Sequence, residues 1–290
     1  MESNIKVLGI CGREGAGKNT VANILQFNSH LPSTEQTWEL LPVDNPLVYM
    51  AHVLFGFPMN IDYSKIDPIW GLTQDKAFAI ISDLIIKFVD KDWFTKHPTG
   101  NEYRLPFPVS TLNNKWCEFS MADPLKRIST LIFDIPYDIL IAQTPESRKL
   151  REITYSPDLS VCGKVTGRYC LEYFGTDVIR NHFDSDVWIK ILKREARTAM
   201  NSGLYVVIPD IRFPNEGELI DELNGVLLTI YRKQEDLELT EEDQKTHPAK
   251  WKFLTFNKKV KNPVHIHNCG SIDDLKSSIV NLISFHKFIF

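Results

Sequence analysis

Residues 5–20 read IKVLGICGREGAGKNT. An apolar run of strand character, 5–11, enters a glycine-rich turn, and a helix-like stretch, VANIL (21–25), leaves it. Strand, glycine-rich turn and helix in that order are the context of a phosphate-binding loop. Gly12, Gly15 and Gly17, with the small Ala16 among them, let the backbone curl and aim its N–H groups at phosphate oxygens. The following helix adds the positive end of its dipole. Lys18 is placed to reach the outer phosphates as a mobile point charge. A plain glycine turn needs no lysine and threonine in this register. One detail departs from the general spacing G-x-x-x-x-G-K-[ST]. Asn19 stands where a magnesium-binding hydroxyl belongs, and Thr20 comes one residue late. Magnesium dehydrates reluctantly and often keeps several waters, so loss of one direct hydroxyl ligand need not abolish the site.

Working outward, four more runs are rich in β-branched or aromatic residues: 115–121, 204–209, 225–231 and 263–268. Most are nearly continuous in apolar character, as strands buried on both faces are. Helical patterns lie between them. After Asp184, a plausible N-cap, Trp188, Leu192, Ala196 and Met200 recur four apart, and Gly203 closes the stretch. The alternation predicts an α/β fold, with a parallel sheet of about five strands and helices on both faces. At 290 residues, the chain is expected to form one domain, 1–290, with a large insertion over 28–114. That insertion is rich in Pro, Asn and aromatics and carries one clear helical pattern near 73–90. The charged region 233–262 reads as a surface excursion, with WKFLTF (251–256) docking part of it.

Composition excludes several classes. A net charge of −4 gives no general pull toward a nucleic acid polymer or an anionic membrane. No run of 18 apolar residues predicts a transmembrane helix, and the N-terminus lacks the pattern of a signal peptide. Five scattered cysteines without a C-x-x-C pair favour reduced thiols in a cytoplasmic compartment.

A second constellation supports phosphate chemistry. The apolar strand 204–209 ends in Asp210, the position of a carboxylate that orders magnesium waters or holds the loop lysine, and Arg212 follows as a phosphate clamp. An Asp that opens a turn and an Arg that pairs with it is the plainer alternative. Gly175-Thr176-Asp177 begins a helix-like segment flanked by Arg168 and Arg180, and Arg168 with Glu172 could be only a helical ion pair. Met121-Ala122-Asp123-Pro124-Leu125-Lys126 follows a strand's C-terminal end, where open α/β sheets bind ligands. Arg148, Lys149, Arg151 and Lys164 make 140–167 a candidate lid. His265, His267 and Cys269 share one strand face, which alternation on an edge strand explains more simply than zinc.

In this order the motifs resemble the phage-type deoxynucleoside monophosphate kinases, within the P-loop nucleoside monophosphate kinases. The loop ending Gly17-Lys18-Asn19-Thr20, the Ala122-x-Pro124-Leu125-Lys126 segment and the run from Arg168 through Gly175-Thr176-Asp177 to Trp188 carry the likeness. Pro209-Asp210-x-Arg212-Phe213-Pro214-Asn215-Glu216 and the turn Asn268-x-Gly270-Ser271 complete it. The resemblance implies that 12–20 binds ATP, with Thr20 on phosphate and magnesium held mostly through waters, by way of Asp210 or Thr20. Asn268 and Gly270 would border the adenine. Lys126, Arg168, Gly175, Thr176, Asp177 and Trp188 would form the monophosphate pocket, and Asp210, Arg212 and Glu216 would lie between the nucleotides. Lys18, Asp210, Arg212 and Arg168 would be the catalytic set. Glu172 stands where the family has a Gln, so base preference does not transfer.

The expected function is ATP- and Mg²⁺-dependent phosphorylation of deoxynucleoside 5′-monophosphates for DNA precursor synthesis. The expected partners are the two nucleotides, and the 28–114 insertion could line the base pocket or build an interface with a second copy of the chain. The expected setting is the cytoplasm, the host's for a viral chain. The rivals are a kinase of another small phosphate, such as phosphomevalonate, and a silent nucleotide-binding regulator.

Overall fold

The computed structural model describes residues 5–27, 38–57, 59, 71–108, 115–141, 145–159, 163–246, 248–256 and 259–286. In chain order the first half holds β1 (Val7–Cys11), α1 (Lys18–Phe27), β2 (Trp38–Val43), α2 (Pro46–Phe55), α3 (Gln74–Phe88), α4 (Trp93–Lys96) and β3 (Tyr103–Pro108). Next come β4 (Trp116–Glu118), α5 (Asp123–Phe133), α6 (Tyr137–Ile141), α7 (Pro145–Leu150), β5 (Thr154–Leu159), β6 (Gly163–Thr166) and α8 (Gly167–Glu172). A π-helical segment, Tyr173–Arg180, continues α8. The remainder is α9 (Val187–Asn201), β7 (Tyr205–Ile208), α10 (Pro214–Glu222), β8 (Val226–Tyr231), α11 (Glu241–Gln244), β9 (Pro263–His267) and α12 (Ile272–Phe285).

These elements fall into two compact units. The first is Met1–Glu35, Ser110–Met121 and Leu192–Phe290; the second is Gln36–Val109 and Ala122–Ile191.

The first unit is built on one five-stranded sheet in the order β4-β7-β1-β8-β9. Every pairing is parallel. All five predicted runs are strands of this sheet, which bears out the α/β expectation. β1 sits centrally because each of its residues is apolar or glycine and all are buried. Its Leu8 and Ile10 join Val21, Ile24 and Leu25 of α1 and Leu275 and Ile279 of α12 in one core. Gly9 points to the other face, where a Cβ would lie 2.7 Å from Ile220 of α10. Helices therefore cover both faces. β9 is an edge strand and alternates in exposure accordingly. The WKFLTF stretch does dock: Phe253 and Phe256 are buried, and Phe256 packs against Gly217 of α10. Parallel strands end on one edge of the sheet. β1 ends where the chain order turns outward in both directions, the position at which open α/β sheets place ligands.

The second unit is mainly helical, with two antiparallel pairs, β2–β3 and β5–β6. Its core gathers Tyr49, Met50, Ile85, Trp93, Ile128, Ile132, Phe174 and Val178. The pattern near 73–90 is α3, started by Thr73, whose hydroxyl accepts the Lys76 amide. Two boundaries differ from expectation. Gly175-Thr176-Asp177 does not open a helix but lies inside one. Thr166 supplies the N-cap, taking the Tyr169 amide at 3.1 Å, so the helical stretch is already under way at Gly167. α9 starts at Val187 because the Asp184 carboxylate takes the Asp186 amide at 2.8 Å and closes a turn first. Gly203, left-handed at φ 84°, ends that stretch as expected.

Candidate functional site

In the first unit the residues after β1 form a tight loop that backbone geometry demands. Gly12, Gly15 and Gly17 take φ of 146°, 76° and 111°. These are values that L side chains rarely adopt. Gly12 is doubly constrained, since a Cβ there would lie 2.2 Å from the Ile230 carbonyl oxygen of β8. Ala16 is buried below the loop. Lys18 opens α1, and its Nζ donates to the carbonyls of Gly12 and Arg13 at 2.8 Å each. Burial first, and the nearby Arg212 cation with it, lower the Lys18 pKa from 10.5 to about 8 against the opposing charges of Cys11, Glu14 and Asp210. A desolvated lysine satisfied by neutral carbonyls is well suited to receive an anion.

Asp210 follows β7 and accepts from the Ser120 hydroxyl at 2.7 Å and the Met121 amide at 3.3 Å. Ser120 was not singled out in the sequence; its place just past β4, the strand beside β7, brings it there. Arg212 is exposed. The buried Glu216 folds its carboxylate back onto the amides of Arg212 and Phe213 at 2.7 and 3.0 Å. Glu216 thus holds the backbone that carries Arg212. Asn268 reaches the loop from just past β9: its side-chain amide donates to the Ala16 carbonyl at 2.8 Å, across 252 residues of chain. Gly270 precedes Ser271, the N-cap of α12, and a Cβ on it would lie 2.6 Å from the Asp274 carboxylate. Thr20 is half-buried and Asn19 exposed in the first turn of α1. Asn19 makes no side-chain hydrogen bond among the described residues and, lying inside the helix, does not cap it.

Sequence reading also missed Arg13, whose guanidinium is engaged by residues 236–243. Six acidic residues in 234–243 were visible as charge, but nothing in their spacing pointed to residue 13.

In the second unit three separated motifs meet. Gly175 approaches α5 so closely that a Cβ would lie 2.5 Å from Leu125. The buried Trp188 donates its indole N–H to the Gly175 carbonyl at 3.1 Å. Trp188 therefore supports the Gly175 backbone from within the core. Lys126, one turn into α5, pairs with Asp123 at 2.9 Å. Thr176 and Asp177 are exposed on the π-helical segment, a rare geometry that often marks functional positions. Arg168 is exposed and pairs with Glu152 at 2.6 Å, while its amide donates to the Arg151 carbonyl. Burial lowers the Arg151 pKa, and the Arg168 and Arg148 cations lower it further. Its Nε is buried without a partner among the described residues. The side chain of Lys164 lies outside the described residues.

Residues 142–279 match the family model described as deoxynucleotide monophosphate kinase. The chain is similar to those kinases. A protein of Acanthamoeba polyphaga mimivirus named "Putative deoxynucleotide monophosphate kinase" is 29% identical over 175 residues, 57% of this chain and 82% of the viral one. The family match takes in Arg168, the Gly175–Asp177 run, Trp188, Asp210, Arg212, Glu216 and Asn268. It leaves out 12–20 and 122–126, where the loop geometry stands on its own. Deoxynucleotide monophosphate kinase likeness supports a nucleotide kinase function, a phosphotransferase. No described helix is long and apolar enough to cross a membrane.

Proposed function

We propose that the protein transfers the γ-phosphoryl group of ATP to the 5′-phosphate of a deoxynucleoside monophosphate, yielding the diphosphate for DNA precursor supply. The observation that carries this reading is Lys18, desolvated at the root of a positive-φ loop beside Asp210 and Arg212. An acceptor phosphate oxygen attacks the γ-phosphorus, and the bond to the β-phosphate oxygen breaks. No protein nucleophile takes part. Catalysis then rests on position and charge.

The amides of 12–20, Lys18 and Arg212 offset charge on the donor phosphates, with Thr20 on a phosphate and Asn268 and Gly270 beside the adenine. Arg168 and Lys126 meet the acceptor phosphate, and Thr176 and Asp177 its nucleoside. Gly175 with Trp188, and Glu216 through Arg212, act by position. Asp210 and Thr20 offer hard oxygen ligands that suit a hydrated Mg²⁺. When bound, the ion neutralises charge between the phosphates. The 140–167 segment, with Arg148 and Arg151, serves as a lid that excludes water and limits wasteful hydrolysis. The setting is the cytoplasm, the host's if the chain is viral.

A coupled ADP-release assay over deoxy- and ribonucleoside monophosphates and phosphomevalonate tests this, with Lys18→Ala as control. Release with a deoxynucleotide, lost in the variant, is expected. Release with phosphomevalonate alone selects another small-phosphate kinase. ATP binding without turnover on any acceptor selects a regulatory protein.

A further inference from the structure

The second residue of the phosphate loop is clamped from outside the loop. Arg13 Nε donates to the Asp236 carbonyl at 3.1 Å, and Nη2 to the Glu238 carbonyl at 2.9 Å. Nη1 and Nη2 grip the two oxygens of Asp243 at 2.6 and 2.9 Å. Asp243 is itself fixed by the Thr240 amide and hydroxyl at 3.0 and 2.9 Å. The arm is thereby wound around one guanidinium. Its root is also set: the Asp236 carboxylate takes the amides of Arg232 and Lys233, just past β8, at 3.0 Å each.

Arg13 faces both ways. Its carbonyl accepts from Lys18 Nζ at 2.8 Å and from the Ala16 amide at 3.2 Å. An open cleft of about 380 Å³ lies between the loop and the root of the arm, lined by residues 13–16 and by Arg232, Lys233 and Asp236. That volume falls within the range of small-molecule sites. A single exposed ion pair contributes little to stability. A bidentate pair with two further carbonyl acceptors instead specifies geometry, and lysine cannot reproduce the fork.

We propose that Arg13 is a positioning residue that ties the acidic arm 234–243 to the phosphate loop, making the root of the arm the outer wall of the site for the donor's phosphates. Loop residues 13–16 form the inner wall, and Arg232 and Lys233 bring positive charge to an anionic ligand. The arm sets donor affinity from a distance, because its grip on Arg13 holds the carbonyl that also anchors Lys18. This rests on the donor site proposed above.

The test measures ATP binding by calorimetry, without turnover, together with KM for ATP, KM for the acceptor and kcat. The variants are Arg13→Lys, Arg13→Ala and Asp243→Asn, with thermal melting as the folding check. Asp243→Asn keeps the side chain's shape and lies in the arm, so it reports even where Arg13→Ala does not fold. The expected result is a dissociation constant and KM for ATP raised about tenfold in Asp243→Asn and Arg13→Lys, with acceptor KM and kcat within twofold. Equal ATP affinity in wild type and folded variants overturns the inference while leaving the donor site intact. A wild-type protein that binds no ATP removes the donor site, and this inference with it. A loss shared equally by donor and acceptor affinity also overturns it, since a general loss of structure would act that way.

Discussion

The loop lysine of the first unit and two cations of the second, Lys126 and Arg168, are held in opposite ways. In the first, Lys18 is desolvated and, among the described residues, satisfied only by the neutral carbonyls of its own loop, with no carboxylate paired to it. In the second, Lys126 and Arg168 are already paired with Asp123 and Glu152. A parallel sheet places its ligand groups on strand ends, so the first unit builds its site largely from backbone. The second builds from side chains on helices and a hairpin, which exchange partners readily. On the function proposed above, a preformed phosphate cradle for the donor and ion-paired cations for the acceptor are what a constant donor and a selected acceptor would call for.

The contrast breaks first at Lys18. Lys18→Ala should lower kcat/KM by about 10²–10³-fold, the loss typical of one preorganised charge-stabilising donor, read in the ADP-release assay. A loss under tenfold would show that the loop is not the catalytic cradle.

Next is pH. With its pKa near 8, Lys18 is mostly charged in the free protein at pH 7, and phosphate favours the charged form. As pH rises through about 8, binding must take up a proton. ATP affinity should then fall by up to about tenfold per pH unit. Calorimetry in buffers of different ionisation enthalpy checks this through proton uptake above pH 8. A flat profile from pH 7 to 9.5 would remove the desolvated lysine from donor binding.

In the second unit, Gly175→Ala should push α5 away from the π-helical segment, costing about 1–3 kcal/mol by denaturant unfolding. It should also raise acceptor KM several-fold while ATP binding stays unchanged. An equal effect on both substrates would erase the division of labour. Trp188→Phe keeps most of the packing but drops the bond to the Gly175 carbonyl. About 1 kcal/mol of stability should go with it, measured the same way. Least of all, Asn19→Ser should change kcat/KM by less than about twofold, since that exposed side chain is within no hydrogen-bonded network among the described residues. A tenfold effect there would give Asn19 a direct part in metal or phosphate binding.

Much of the first unit was legible because its signals are local. Continuous apolar runs locate buried parallel strands, and three glycines before Lys18 announce a backbone that must turn through positive φ. The Asp210-x-Arg212 ending was legible for the same reason: it sits at a strand terminus that the run itself defines. The second unit was harder to read. Gly175-Thr176-Asp177 looked like the start of a helix because such a run often serves as a cap. The actual cause of Gly175 is the closeness of Leu125, fifty residues earlier in the chain. Trp188 carried a recognisable motif position, yet its burial and its bond to Gly175 follow from packing that no spacing encodes.

What the sequence determined by itself was where the strands run and where the glycine loop turns, because each depends on neighbours within a few residues. Tertiary structure alone decided which side chains became partners. Arg13 found Asp243 across 230 residues, Asn268 found Ala16 across 252, and Ser120 found Asp210 across 90. Hydrogen bonds act over about 3 Å, and only the folded chain brings such distant residues that close.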